Sequence, residues 1–149
     1  MAEVGEKNSS DNYLLVIGFG VPGRAVVDIG RKSGAEVCVI EMNAHTVKRC
    51  HTAGVKMVVG DARDPVILNQ ADVTRATVIV IAIPDEESAL HVTRVARATN
   101  PTAKIITRCH FTSAGFQAKD AGANDVVVAE TVVAASMANV VSPLLEKKH

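Results

Sequence analysis

Residues 15–25 read LVIGFGVPGRA, and this stretch decides the fold class of the chain. An apolar run ends in three glycines with the spacing G-x-G-x-x-G, namely Gly18, Gly20 and Gly23. In dinucleotide-binding folds such a loop joins a strand to a helix: the first glycine permits the tight turn, the second lets the backbone approach a phosphate, and the third lets the helix lie close to the strand. The pattern predicts a phosphate site at a helix N-terminus; a glycine turn needed only for packing is the alternative.

Six short apolar runs, rich in β-branched residues, alternate with helical patterns along the chain. They cover residues 13–18, 36–41, 55–60, 77–83, 103–108 and 125–129. Most are continuously apolar, which is typical of parallel strands covered on both faces, and the run at 77–83 is the purest. We therefore expect an α/β, doubly wound (Rossmann-like) parallel six-stranded sheet. Its strand order should be 3-2-1-4-5-6, with the fourth strand central and helices on both faces.

The helices between these strands have recognisable ends. The first should begin at Pro22 and stop before Gly34, with Ala25, Val26 and Ile29 facing the sheet. The other expected helices are one from an Asn43 cap to about Ala53, a short one capped by Asp64, one capped by Asp85, and one over residues 112–121.

The last helix, expected over residues 130–141, is apolar around most of its circumference. Two interpretations remain open: a terminal helix packed unusually deep, or a contact with a second copy or a neighbouring domain. Residues 1–12 are polar and read as a flexible lead-in or linker, residues 13–142 as one nucleotide-binding domain, and residues 143–149 as a polar tail.

Composition restricts the function classes. Sixteen basic residues balance sixteen acidic ones, and aromatic residues make up only 3%, so the chain lacks the charge and the stacking surface of a nucleic-acid binder. No apolar run is long enough to span a membrane, and the first twelve residues contain no signal-peptide core. Three cysteines without C-x-x-C spacing indicate a reducing compartment. We expect a soluble, cytoplasmic domain, which does not exclude its being part of a longer membrane protein.

Acidic residues follow the second and third strands. Glu41 ends the second strand, where a carboxylate accepts hydrogen bonds from the two ribose hydroxyls and repels a 2′-phosphate; with no cation at Met42 or Asn43, NADP is disfavoured. Asp61 follows the third strand and either accepts from an adenine amino group or caps the short helix, and the Arg63 guanidinium could lie over the ring.

The fourth and fifth strands bring further polar groups to the same edge of the sheet. Pro84 and Asp85 follow the fourth strand, opposite the glycine loop. Arg108 ends the fifth strand, where it either meets phosphate or a second ligand or is simply an exposed arginine without a ligand.

These residues together resemble the RCK or TrkA-N (KTN) family, the regulatory domains of potassium transporters and channels. The resemblance covers roughly residues 12–142 and rests on VIGFGVPG, on Glu41, on VVGDARDP after the third strand, and on the apolar fourth strand leading into IPDE. Within the family the chain is most similar to the C-terminal domain of Kef-type cation:proton antiporters, in particular the YbaL-like branch.

The resemblance implies a regulatory domain, not an enzyme, that binds an adenine nucleotide and acts on a transporter at the cytoplasmic face of the inner membrane. It implies a homodimer formed through the last helix and a membrane transport domain as partner. The implied nucleotide-binding residues are Gly18, Phe19, Gly20, Val21, Pro22, Gly23, Glu41, Met42, Asp61, Ala62, Arg63 and Pro84.

One departure from the family concerns the position after the second glycine. Many relatives have a polar or basic residue there, whereas this chain has Val21 and then Pro22, leaving Arg24 as the nearby cation. We therefore favour AMP, with NAD(H) next.

Other function classes fit the sequence less well. An NAD-dependent oxidoreductase fragment would need a substrate segment and a proton donor, and Tyr13, the only tyrosine, lies at the wrong end of its strand. A methyltransferase that uses S-adenosylmethionine would need a seventh strand, for which no residues remain. The pairs Cys50-His51 and Cys109-His110 belong to different elements, so we expect no metal site.

Overall fold

The computed structural model describes residues 11–49 and 54–146, which form one six-stranded parallel sheet with helices on both faces. The strands are β1 (Tyr13–Ile17), β2 (Glu36–Glu41), β3 (Val55–Val59), β4 (Val78–Ile81), β5 (Lys104–Cys109) and β6 (Asp125–Val128). Their order is β3-β2-β1-β4-β5-β6, and each neighbouring pair is parallel, which confirms the predicted fold class and topology.

In the described residues, five helices and one 3₁₀ turn lie between the strands, and a sixth helix follows β6. They are α1 (Val21–Lys32), α2 (Ala44–Arg49), α3 (Pro65–Gln70), the 3₁₀ turn Val73–Arg75, α4 (Glu86–Thr99), α5 (Thr112–Ala121) and α6 (Ala129–Leu145). The predicted N-caps Asn43, Asp64 and Asp85 are confirmed, because each side chain accepts hydrogen bonds from backbone N–H groups of the following turn. The predicted end of the second helix, at about Ala53, lies outside the described residues.

The hydrophobic core has two halves, one on each face of the sheet. The larger half lies between the sheet and helices α3, α4 and α5, and includes Leu15, Ile79 and Ile105, all fully buried. The smaller half lies under α1 and is formed by residues such as Val16, Val27 and Val39. Core residues alternate between the two halves along β1, as expected for a parallel strand that is covered on both faces.

The inner face of α1 differs from the prediction. Its buried residues are Gly23, Val27 and Gly30, whereas Ala25 is exposed and Ile29 is 71% exposed; only Val26, which is half-buried, was assigned correctly. A Cβ at Gly30 would lie 2.5 Å from Leu14 Cδ2. The helix therefore lies close to the sheet on its small residues, and this close approach turns Ile29 outward.

Helix α6 contains no buried residue. Seven of its large apolar side chains are exposed: Val132, Val133, Met137, Val140, Val141, Leu144 and Leu145. The interpretation of α6 as a deeply packed terminal helix is therefore wrong for this chain. The helix also begins at Ala129 and extends to Leu145, so the expected end at residue 141 is wrong and the predicted polar tail begins inside the helix.

Candidate nucleotide site

A cleft of about 390 Å³ opens at the carboxyl edge of the sheet, where β1, β2, β3 and β4 end. It is lined by Ile17, Gly18, Ile40, Glu41, Met42, Asn43, Thr46, Gly60, Asp61, Ala62, Ile83, Pro84, Asp85 and Ser88. This edge of a doubly wound sheet, at the point where the strand order reverses, is where such folds bind ligands. Isoleucine side chains supply the apolar walls, and the polar groups come from the strand ends and helix starts around them.

The three glycines of the loop have three different environments. Gly18 has φ +100°, and a Cβ there would lie 2.7 Å from the Ala82 carbonyl oxygen, so only glycine fits this turn. A Cβ at Gly23 would lie 2.0 Å from the Gly18 carbonyl oxygen, which means that α1 meets the end of β1 without space for a side chain. At Gly20 the position of a Cβ is open, with Pro22 Cδ 4.0 Å away as the nearest atom.

The N-terminus of α1 follows Gly20 directly. Gly20 is the N-cap residue and provides no side-chain cap, and Pro22 is among the first helical residues. The N–H groups of a helix start together with the helix dipole favour an anion. The Arg24 guanidinium lies on the same turn, with Nε 3.3 Å from the Phe19 carbonyl oxygen and Cζ 5.4 Å from the centre of the Phe19 ring.

The carboxylate of Glu41 connects the glycine loop to the start of α2. Its Oε1 accepts from the Phe19 N–H at 3.1 Å, and its Oε2 accepts from the Asn43 N–H at 2.8 Å. A carboxylate oxygen can accept more than one hydrogen bond, so both oxygens retain acceptor capacity toward the cleft. The two backbone contacts fix the position of the carboxylate at the edge of the cleft.

Asp61 forms an ion pair with Arg63 beside the cleft. Arg63 Nη2 lies 2.7 Å from Asp61 Oδ2, and Asp61 Oδ1 also accepts from the Arg63 backbone N–H at 2.9 Å. These hydrogen bonds from Arg63 lower the pKa of the Asp61 carboxyl below its usual value. The helix cap is Asp64, so the interpretation of Asp61 as the cap of α3 is wrong. The Asp61 carboxylate at the cleft wall is therefore ionised, and in this form it can accept a hydrogen bond from an amino group.

The loop from β4 to α4 forms the opposite wall. Asp85 Oδ2 accepts from the Ser88 N–H at 2.9 Å and from the Ser88 hydroxyl at 2.6 Å. These two bonds lower the pKa of the Asp85 carboxyl. Hydrogen bonds therefore close the turn from Asp85 to Ser88, which directly follows Pro84.

The structure brings only part of the predicted residue set into the cleft. Six of the twelve line it: Gly18, Glu41, Met42, Asp61, Ala62 and Pro84. The buried ring of Phe19 belongs to the core beneath α1, and Arg63 points into a neighbouring depression on α4. Sequence reasoning missed Thr46, Ser88 and the isoleucines; the first two follow capping residues by three positions, a spacing that would have indicated them. Ligand contacts of the twelve residues stay predictions.

A second, apolar groove lies on the other side of the glycine loop. It has a volume of about 440 Å³ and lies between α1, the face of β4, β5 and β6, and the first turns of α6. Pro22 and Val26 line one wall, Val132 and Val133 line the other, and Arg108 is half-buried at its end. Arg108 therefore faces this groove and does not line the cleft.

Tyr13, Cys38 and Cys109 do not line the cleft. Tyr13 is buried at the amino end of β1, where its hydroxyl donates to the Ala71 carbonyl and burial raises its pKa. Cys38 and Cys109 are buried. Among residues 11–49 and 54–146 no three His, Cys, Asp or Glu side chains are grouped as metal ligands; Cys50 and His51 lie outside those ranges. No helix in the described part has the length and hydrophobicity to cross a membrane.

The sheet order, the glycine loop, the acid that ends β2 and the cleft across the strand ends together define the class of Rossmann-like domains. Comparison with known protein families then identifies the family within this class. The chain matches the TrkA-N domain over residues 14–129 and belongs to that family.

Two similar proteins are named as putative antiporters. The chain is 30% identical over 126 residues to the putative cation/proton antiporter YbaL of Escherichia coli K12, covering 85% of this chain and 23% of YbaL. It is 28% identical over 132 residues to the putative K⁺ efflux antiporter KefB of Alkalimonas amylolytica, covering 89% of this chain and 20% of KefB. The chain thus spans less than a quarter of the length of these relatives.

Solved structures show the same fold. The crystal structure of the TrkA-N domain of YbaL from Escherichia coli matches with a TM-score of 0.81 at 30% identity, covering 91% of this chain and 97% of that one. GsuK bound to ADP matches with a TM-score of 0.77 at 26% identity, covering 89% and 34% of the two chains. The GsuK channel bound to NAD gives 0.75 at 26% identity, covering 88% and 23%.

Proposed function

We propose that this chain is a regulatory domain that binds an adenine nucleotide and gates a monovalent-cation (K⁺) transporter or cation:proton antiporter, without catalysing a reaction. The observation that carries the proposal is the cleft at the switch point. There a carboxylate fixed by two backbone N–H groups lies next to a glycine loop whose backbone is open to a ligand. The names of the relatives, antiporters and a nucleotide-bound channel, support the same function.

In the proposed binding mode the adenosine occupies the cleft. The ribose hydroxyls donate to Glu41, the adenine lies between the isoleucine walls with its amino group toward Asp61, and the 5′-phosphate lies over Gly20 at the start of α1. The 390 Å³ of the cleft suits a mononucleotide, because binding pockets for small ligands begin at about 300 Å³. We favour AMP, with NAD(H) next.

The exposed apolar surface of α6 is the proposed site of homodimerisation. The helix is 17 residues long and exposes apolar side chains along its length, and it borders the 440 Å³ apolar groove. Ile29 continues the Pro22 and Val26 stripe of α1, one turn further along. We infer that α6 of a second copy packs into this groove, because both surfaces are apolar. A protein interface of standard size buries about 800 Å² on each partner.

The second proposed partner is a membrane transport domain, of the same or another chain, at the cytoplasmic face of the inner membrane. A ligand that prefers one arrangement of the dimer would bias that arrangement and, through it, the transport domain. This is the step by which binding would become gating.

The proposal is tested by isothermal titration of the nucleotide-free chain with AMP, ADP, ATP, NAD, NADH, NADPH and S-adenosylmethionine. We expect saturable binding of an adenine nucleotide and none of NADPH. Glu41→Ala should weaken binding by about 10- to 150-fold, because a hydrogen bond to a charged group is worth about 1.5–3 kcal/mol. Glu36→Ala is the matched control, since Glu36 lies at the other end of the same strand and pairs with Arg75. Binding of S-adenosylmethionine alone, or equal affinities in both variants, would refute the proposal.

A further inference from the structure

His110 lies between the cleft and α6 and contacts the elements on both sides. Its Nε2 donates to the carbonyl oxygen of Pro84, which lines the cleft. Its backbone N–H donates to Glu86 Oε1 at 2.7 Å, and its carbonyl oxygen accepts from the Glu130 N–H at 3.2 Å. A carbonyl oxygen can only accept, so Nε2 carries the hydrogen in the contact with Pro84.

The wall that His110 contacts is a single hydrogen-bonded unit. Ser88 closes the turn onto Asp85, and Glu86 Oε1 reaches across to the N–H groups of His110 and Phe111. A ligand that contacts Pro84, Asp85 or Ser88 therefore acts on a turn that is already bonded to His110. On the other side, Glu130 lies in the first turn of α6, whose outer surface carries the proposed dimer contact.

We propose that His110 is the positioning residue through which nucleotide occupancy of the cleft changes the placement of α6 and thereby the stability of the dimer. This inference rests on the proposed function of the cleft and of α6. Coupling between two sites requires a physically continuous connection that both sites can bias, and His110 bonds to both elements.

The two connections of His110 can be separated by mutation. The imidazole makes the contact with Pro84, whereas the backbone makes the contacts with Glu86 and Glu130. His110→Ala therefore removes the side-chain contact with Pro84 and leaves both backbone contacts, with Glu86 and with Glu130, in place. His110→Gln is the matched control, because its amide N–H can donate at nearly the reach of the imidazole nitrogen.

The experiment measures the dimer dissociation constant by sedimentation equilibrium without AMP and with saturating AMP. In the wild-type chain we expect the two constants to differ by about 5- to 150-fold, the usual range of coupling between sites. In His110→Ala the ratio should fall by at least about twofold while AMP still binds, which corresponds to the loss of one hydrogen bond, and His110→Gln should restore most of the wild-type ratio. A purely structural role of His110 would lower stability in His110→Ala without changing this ratio.

The possible failures are distinguishable. If the wild-type chain binds none of the adenine nucleotides in the titration, or binds one without any change in dimerisation, the proposed function fails and this inference fails with it. If the wild-type ratio is present and His110→Ala retains it, only this inference fails. If His110→Ala does not fold, hydrogen exchange of the wild-type chain decides: the inference requires AMP to slow exchange of the Glu130 N–H, and protection confined to the cleft would overturn it.

Discussion

The glycine loop allows packing and ligand approach to be tested at two positions three residues apart. In Gly23→Ala the new Cβ would lie 2.0 Å from the Gly18 carbonyl oxygen and 3.0 Å from its carbonyl carbon. In Gly20→Ala the new Cβ would have only Pro22 Cδ within 4.0 Å, and φ −81° with ψ −163° is a conformation that alanine adopts readily. The two variants add the same methyl group to one crowded and one open position.

The two changes should therefore have opposite signatures. Backbone atoms around Gly23 must move by more than 1 Å, which we expect to cost about 2–3 kcal/mol of unfolding free energy after the small gain in helix propensity. For a domain of this size that loss lowers the melting temperature by roughly 4–12 °C. Gly20→Ala should change stability by less than about 0.5 kcal/mol, because the smaller freedom of the unfolded chain offsets the poorer N-cap. Its methyl group would occupy the space of the proposed phosphate, so AMP should bind at least tenfold more weakly.

Urea denaturation followed by far-ultraviolet circular dichroism measures the stabilities, since the chain has no tryptophan and only one tyrosine for fluorescence. Titration calorimetry measures the AMP affinities of the folded variants. Wild-type AMP affinity in Gly20→Ala would refute the placement of phosphate over Gly20. Wild-type stability in Gly23→Ala would show that the contact between α1 and β1 is looser than the structure has it.

Two further perturbations test the interface and the cleft wall. Val140→Asp should weaken the dimer roughly a hundredfold in sedimentation equilibrium, because the variant loses the burial of a valine and buries a charge. The control Asn139→Asp adds the same charge at the preceding residue and should have much less effect. Equal effects of the two variants would argue against this interface. Because hydrogen bonds from Ser88 lower the pKa of Asp85, the contribution of this pair to stability is present above the ordinary carboxyl pKa of about 4 and lost as pH falls. Urea midpoints of the wild-type chain and of Ser88→Ala should therefore converge between pH 6 and pH 3, and a constant gap would contradict the assignment.

The fold could be predicted from the sequence because its signals are local. Continuously apolar strand runs predict burial on both faces, and capping residues such as Asn43, Asp64 and Asp85 mark helix starts by a hydrogen bond that spans two or three positions. The glycine spacing and Glu41 then place the site at one edge of the sheet, because the topology brings the carboxyl ends of all parallel strands together.

What could not be predicted depends on distances between elements. Apolar residues on α1 were expected to face the sheet, yet the helix lies so close to β1 that Gly23 and Gly30 take those positions and Ile29 faces outward. The position of the Arg63 guanidinium also depends on a distance that the sequence does not give. It was expected over an adenine ring, and it pairs with Asp61 at 2.7 Å. The sequence showed that α6 is apolar around most of its circumference. It did not show whether its own domain covers the helix, since that depends on where the chain leaves β6.

The effect of a nucleotide on the dimer depends on two free energies: that of burying the apolar side chains of α6, and that of the hydrogen bonds between His110 and the cleft wall. Seven large apolar side chains on α6 are at least 43% exposed, and burying each in an interface contributes roughly 1 kcal/mol or more. The hydrogen bonds of His110 with the cleft wall are each worth about 0.5–1.5 kcal/mol, or up to about 3 where the Glu86 carboxylate is the acceptor. Rearranging one or two of them changes a dissociation constant by one or two orders of magnitude but does not outweigh the apolar surface. We therefore expect the nucleotide-free chain to be dimeric already in light scattering at micromolar concentration, with AMP adjusting the dimer, and a monomer that no nucleotide changes would refute this account of regulation.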